Sequence, residues 1–169
     1  VARYFSTVES ATAIVGSSAP SGSNANSLFA NLVGSTTMPL KVRRITLGVR
    51  AGVGAPTSQQ MTVAVIRTTA RGTASTTNAA KALDGSNTST AFCPGLDVAW
   101  TAVPTATWTA PYYYEFTVNT QATPDLPYEL LEELTVAPAA SNANGLAFFN
   151  VGNALPTSHL YTLAVEWEE

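Results

Sequence analysis

The chain has 169 residues, 46% of them hydrophobic and only 11% charged, with a net charge of −3. That length suits one domain with a sizeable core, and the charged fraction is less than half of the roughly 25% typical of soluble domains. Eight basic residues form no stripe, so no nucleic acid is expected as a partner. No apolar run reaches the roughly 18 residues of a membrane span, so no membrane is expected either. The missing charge is replaced by Ala, Ser, Thr, Gly and Asn, a surface suited to a subunit packed in an assembly.

The first run, "RYFSTVESATAIV" from Arg3 to Val15, predicts an N-terminal strand or arm within residues 1–15. No basic stretch followed by an apolar one precedes it, so no signal peptide is visible, and a complete product made in the cytosol is expected. "GSSAPSGSNAN" (Gly16 to Asn26) reads as a loop, and "SLFANLV" (Ser27 to Val33) as a short strand. "LKVRRITLGVRA" (Leu40 to Ala51) is the clearest long strand. Leu40 and Val42 share one parity, and Ile45, Leu47 and Val49 the other. Keeping all five on one face requires an inserted residue, which predicts a β-bulge near Arg43–Arg44. "KVRR" is also the densest basic stretch. It is either outward-facing charge on a strand or a contact for an anionic partner, which makes Arg43 and Arg44 candidate interface residues.

"GVGAPTS" (Gly52 to Ser58) is a loop. In "QQMTVAVIRTTA", Met61, Val63 and Val65 face one side and Ala64 and Ile66 the other, so this strand is expected to be covered on both faces. Residues 71–95 show the least pattern and predict a long loop, with "NAAKAL" a possible helical turn and "LDGS" a turn at Asp84–Gly85. Loops of that length are commonly functional or interface elements, so Lys81 and Asp84 join the candidate contacts. "LDVAWT" is a strand, and "AVPTATWTAP" (Ala102 to Pro111) an irregular link. "YYYEFTVN" alternates, with Tyr112, Tyr114, Phe116 and Val118 on one face. "YELLEELTV" reads as a strand in preference to a helix. "GLAFFNVG" and "SHLYTLAVEWE" close the chain as two strands joined by "NALPT".

The sum is all-β: a single-domain antiparallel sandwich spanning 1–169, of the jelly-roll or Greek-key kind, with about eight or nine strands. Chemistry is sparse. No GxSxG, P-loop, HExxH or CxxC motif is present, and "GVRAGVG" lacks the spacing of a dinucleotide loop. Cys93 is the only cysteine and reads as a small buried hydrophobe. Glu115 with Glu129 or Glu133 could face each other across a sheet as sugar hydrolysis requires, but many other carboxylate pairs could as well. "LDGSN" lacks the repeated acids of a calcium loop, so it reads as an Asp–Gly turn. Asn87–Thr88–Ser89 matches a glycosylation sequon and carries no weight without a secretory signal. No catalytic, metal-binding or cofactor-binding residue is expected. The competing reading is a receptor- or carbohydrate-binding module whose ligand platform is Trp100, Trp108 and Tyr113. In the closing strand, His159, Tyr161, Leu163, Val165 and Trp167 share one parity. His159 is therefore expected on an apolar face, roughly 26 Å from Trp167, with Glu166 pointing the other way.

The segments "PLKVRRITLGVRAG", "QQMTVAVIRTTARGT", "LDVAWTAVPT" and "HLYTLAVEWEE" resemble small structural proteins of tailed bacteriophages, over Pro39 to Glu169. The resemblance implies a jelly-roll virion protein: a capsid decoration or cement protein, or a minor tail or fibre-head protein. It implies the major capsid protein and further copies of the chain, as a homotrimer, for partners. The implied location is the capsid exterior, after synthesis in the host cytoplasm. It supplies no catalytic residues and no cofactors.

Overall fold

The computed structural model describes residues 2–10, 13–14, 19–20, 27–55, 57–87, 89–129 and 133–169. Among them the strands are β1 (Arg3–Glu9), β2 (Leu28–Val33), β3 (Leu40–Ala51), β4 (Gln60–Ala70), β5 (Thr73–Ala79), β6 (Lys81–Ala82) and β7 (Gly95–Ala102). They continue with β8 (Thr105–Ala106), β9 (Tyr114–Asn119), β10 (Asp125–Pro127), β11 (Leu134–Val136), β12 (Gly145–Asn150) and β13 (His159–Glu168). The only helix among the described residues is a 3-10 turn at Ala140–Asn142, and no helix is long and apolar enough to cross a membrane.

Two antiparallel sheets form. The first runs β10-β3-β13-β1-β6, with β11 also paired to β3; the second runs β5-β7-β2-β12-β4-β8, with β9 also paired to β4. The pairing is nested. β1 pairs with β13, β2 with β12, β3 with β10 and β11, and β4 with β8 and β9. First with last, second with next to last and so inward is the wiring of a jelly roll, which the chain's rarity of tight hairpins predicts. Two of its eight positions are filled by split strands, and β5, β6 and β7 are added to the outer edges, so thirteen strands appear where about eight or nine were expected.

The alternation of β13 holds along its whole length, one parity buried and the other half-buried. The bulge in β3 is present: Glu166 lies opposite Arg44 and Trp167 opposite Val42, leaving Arg43 as the extra residue. It returns Leu40 and Val42 to the face of Ile45 and Leu47, and all four are buried. Between the sheets, Val42, Ile45, Leu47, Met61, Val63, Val65, Phe148, Leu163, Val165 and Trp167 form the main core. Each such side chain contributes about 1.5–3 kcal/mol on burial.

β4 is covered on both faces, as its two apolar parities require. Ala64 and Ile66 join Leu28, Trp100, Ala147 and Phe149 in a second cluster on the far side of the second sheet. The irregular link before β9 covers that cluster with Val103, Trp108 and Tyr112. Tyr112 therefore lies against Phe149, edge-on at 5.6 Å, and not with Tyr114, Phe116 and Val118, which pack on the main core. The backbone is bent before Tyr114, so the alternation begins one residue pair later than the sequence suggests.

A further expectation needs correction. Residues 71–95 are not one long loop: β5 and β6 occupy most of 73–82, and "NAAKAL" is strand, not a helical turn. The longest irregular stretches left there are 83–87 and 89–94, and they end at Gly95, whose φ of +124° and approach to Asn78 O (2.1 Å from an added Cβ) admit only glycine. The N-terminal run is a strand and not a free arm, since β1 lies between β13 and β6; residues 11, 12 and 15 of that run lie outside the described residues. In "YELLEELTV", residues 130–132 lie outside them too, while Leu134–Val136 is strand as expected and Asp125–Pro127 adds a strand despite its proline.

Candidate functional site

The outward side of the first sheet carries most of the chain's charge at one end. Arg43 donates from Nε to Glu168 Oε2 at 2.8 Å and from Nη1 to Glu133. Only 11% of the Arg43 side chain is exposed, and 4% of Glu133. Hydrogen bonding to Glu168 holds the guanidinium pKa above its ordinary value, and burial opposes this. Arg44 reaches Asp125 at 3.2 Å and Glu166 at 3.8 Å, and Arg3 reaches Glu166 at 3.9 Å. Three arginines and four carboxylates thus pair across β1, β13, β3 and the β10–β11 segment, with one carboxylate charge in excess.

The rest of that face carries mostly small neutral side chains, with Glu9 and Arg50 at its far end. Thr7, Ala164 and Thr46 form one row across β1, β13 and β3, and Thr162 and Gly48 continue the next row. Their alternation with the buried parity puts all five outward. An open depression at the charged end is lined by Ala2, Arg3, Arg44, Leu83, Asp84 and Glu166, among others. It brings together Arg44 and Asp84, two of the four residues singled out as contacts. Arg43 is turned into its ion pairs, and Lys81 lies on β6, opposite Phe5 of β1. Asp84 closes a local turn: its carboxylate accepts from the Ser86 N–H at 2.8 Å and the Ser86 hydroxyl at 2.7 Å. Those hydrogen bonds hold its pKa below the ordinary carboxylate value.

The three aromatic candidates do not form a platform. Trp100 is 8% exposed and belongs to the second cluster, so its indole offers no face to a ligand. Trp108 is half-buried and stands edge-on to Phe149 at 5.2 Å. Tyr113 alone is exposed, and the Arg67 guanidinium lies over its ring, 4.1 Å from the centroid. Arg67 went unnoticed in the sequence because nothing in "VIRTTA" separates it from an ordinary outward strand residue. Comparison with protein families, curated sequences and solved structures finds no match.

No enzymatic constellation emerges from the residues the sequence offered. His159 is fully buried. Its Nε2 lies 2.8 Å from Thr57 O, and its Nδ1 lies 3.2 Å from Ser158 Oγ. Cys93 is buried, with its thiol donating to Val33 O at 2.9 Å, and burial pushes its pKa up, away from a reactive thiolate. Glu115 is exposed on β9 of the second sheet while Glu133 is bound to Arg43 of the first. Among the described residues no group of three or more His, Cys, Asp or Glu is placed to hold a metal ion.

Proposed function

We propose that this chain is a non-enzymatic structural subunit of a virion, a capsid decoration or cement protein that stabilises the phage head by bridging capsomers. Its partners on this reading are the major capsid protein and its own copies in a homotrimer. The observation that carries it is the outward side of the first sheet: a patch of small neutral side chains, Thr7, Ala164, Thr46, Thr162 and Gly48, bordered by a network of ion pairs at one end and by Glu9 and Arg50 at the other. Such a surface needs little desolvation of charge when another protein covers it. The resemblance of Pro39–Glu169 to small phage structural proteins supports the same reading. The test is the stoichiometry of purified particles. The chain is expected at a copy number comparable to the capsid protein and on the head; a handful of copies confined to the tail overturns it.

A receptor- or carbohydrate-binding module is the second reading. The exposed Arg67–Tyr113 stack, which is the part of the aromatic set left accessible, favours it.

A further inference from the structure

The edge of β4 is paired to β9 from Gln60 to Val65 and to β8 from Thr68 onward. Between them lies a gap at Ile66 and Arg67. Tyr113 fills its rim: its backbone N–H donates to Val65 O at 3.1 Å, and the Thr135 N–H donates to its phenol oxygen at 3.4 Å. Burial pushes the phenol pKa up, but hydrogen bonding from Arg67 and Thr135 outweighs this and leaves it below the ordinary tyrosine value. The ring thus holds the guanidinium by a cation–π contact, 4.1 Å from its centroid.

Arg67 on β4 differs from the arginines that meet a carboxylate, and Arg50, which also meets none, donates instead to the Ser10 carbonyl at 2.8 Å. Arg3, Arg43 and Arg44 each meet a carboxylate, as does Arg71 on Asp97. Among the described residues Arg67 has no carboxylate within 4.0 Å, and an exposed guanidinium supported on a ring is a group that can pair with an anion. It sits between two recesses. The larger, about 400 Å³, is walled by Pro111, Tyr112 and Tyr113 and by the hydroxyl-bearing Thr69, Thr105 and Thr107. The smaller, about 130 Å³, is lined by Thr68, Thr135 and Asn144 among others. An unpaired guanidinium, a short aromatic wall and a ring of hydroxyl and amide groups match a ligand that is anionic, rich in hydroxyls and apolar on one ring face.

We infer that the Arg67–Tyr113 recess binds an acidic saccharide, a uronic- or sialic-acid unit, with its carboxylate on Arg67 and its hydroxyls on the surrounding threonines. This rests on the second reading above and narrows it to one ligand class and one anchoring residue. It is compatible with a structural role, since the recess lies on the β4 edge of the second sheet and not on the first sheet's outward face.

The test is calorimetric or NMR titration of the full chain with N-acetylneuraminic acid, a glucuronic-acid oligosaccharide, neutral lactose, acetate and inorganic phosphate. Saturable binding of one acidic sugar is expected, with Arg67→Gln weakening it about tenfold or more, and with Tyr113→Leu weakening it through loss of the support for Arg67. Unchanged thermal unfolding of both variants assigns the loss to the site. Equal binding of lactose, or full affinity in Arg67→Gln, overturns the acidic-sugar inference and leaves the glycan-binding reading standing. Acetate or phosphate binding as tightly as the sugars shows an anion site only and overturns it. No binding of any saccharide overturns both.

Discussion

Arg43 is the bulged residue of β3, skipped between Arg44 and Val42 in the pairing with β13, and its Nε donates to Glu168 at 2.8 Å. The bulge aims one side chain along the sheet, where Glu133 meets it as well. Arg43→Ala leaves the nearly buried Glu133 carboxylate without this guanidinium, a larger penalty than losing an exposed pair. Arg44, 46% exposed, is the built-in comparison. Thermal unfolding of the two alanine variants is expected to show the larger fall in Tm for Arg43→Ala. Equal falls would mean that the bulge pair contributes no more than a surface ion pair.

A second ion pair lies under the added strands. Asp97 is fully buried on β7, and Arg71 grips both its oxygens, at 2.7 and 2.8 Å, while the Thr77 hydroxyl donates at 2.6 Å. Arg71→Met strands a carboxylate that water cannot reach. The expected cost is about 2–3 kcal/mol in urea unfolding, and Asp97→Asn in the same background is expected to recover part of it. A cost under about 0.5 kcal/mol would show that solvent already screens the pair.

Which of these features the sequence shows depends on contrast. β13 is legible because one parity is buried and the other wet, so Tyr161, Leu163, Val165 and Trp167 mark themselves. The bulge is legible because Leu40 and Val42 fall out of step with Ile45 and Leu47. β5 gives no such signal: "TASTTNA" lies at a sheet edge and alternates nothing apolar, so it reads as loop. The partners of Arg43 are 125 and 90 residues away in sequence, and no local pattern announces a contact of that span. Tyr113 was marked as an exposed aromatic, but its meaning depends on Arg67, which the gap between β8 and β9 places there. That gap is a property of the pairing and not of "VIRTTA".

Cys93 supplies a pH prediction. Burial raises its thiol pKa in the folded chain, so the unfolded chain loses that proton first, near pH 8.5. Above that pH the folded state binds more protons than the unfolded one, and stability falls as pH rises. The slope is at most about 1.4 kcal/mol per pH unit for one group. Tyr161, also raised by burial, adds a further loss from about pH 10. Urea midpoints measured from pH 7 to 9.5 are expected to decline in the parent and to stay flatter in Cys93→Ala. The parent thiol is expected to resist a disulfide reagent until the chain unfolds. A thiol that reacts at the rate of a free cysteine in the folded chain would contradict its burial.

The three tryptophans differ in access. Trp167 is fully buried, Trp100 is 8% exposed, and Trp108 is half-buried. Acrylamide quenching is expected to reach Trp108 first, and Trp108→Phe is expected to remove most of the quenchable emission. Trp167→Ala opens a void between the sheets where Tyr4 stacks on the indole at 6.4 Å, and is expected to cost about 3–5 kcal/mol. Emission from Trp100 that quenches as freely as that of Trp108 would reopen the aromatic platform.

The outward face of the first sheet gives the sharpest test of the proposed structural role. Thr46 and Ala164 sit opposite each other on β3 and β13, outward, and the row ends beyond Thr46 at Asp125, whose carboxylate accepts from the Thr46 hydroxyl at 3.2 Å. An arginine at Ala164 projects into solvent and touches no core residue, so the isolated chain is expected to unfold within about 0.5 kcal/mol of the parent. If a neighbouring subunit covers this face, the same arginine must be taken out of water in a contact built for a methyl group, a cost of several kcal/mol. Ala164→Arg is therefore expected to keep its fold and lose particle binding in a sedimentation assay. An equivalent charge on the opposite sheet, Thr117→Arg on exposed β9, is expected to leave that binding intact. Loss of binding in Thr117→Arg with retention in Ala164→Arg would move the interface to the second sheet and remove the observation on which the structural reading rests.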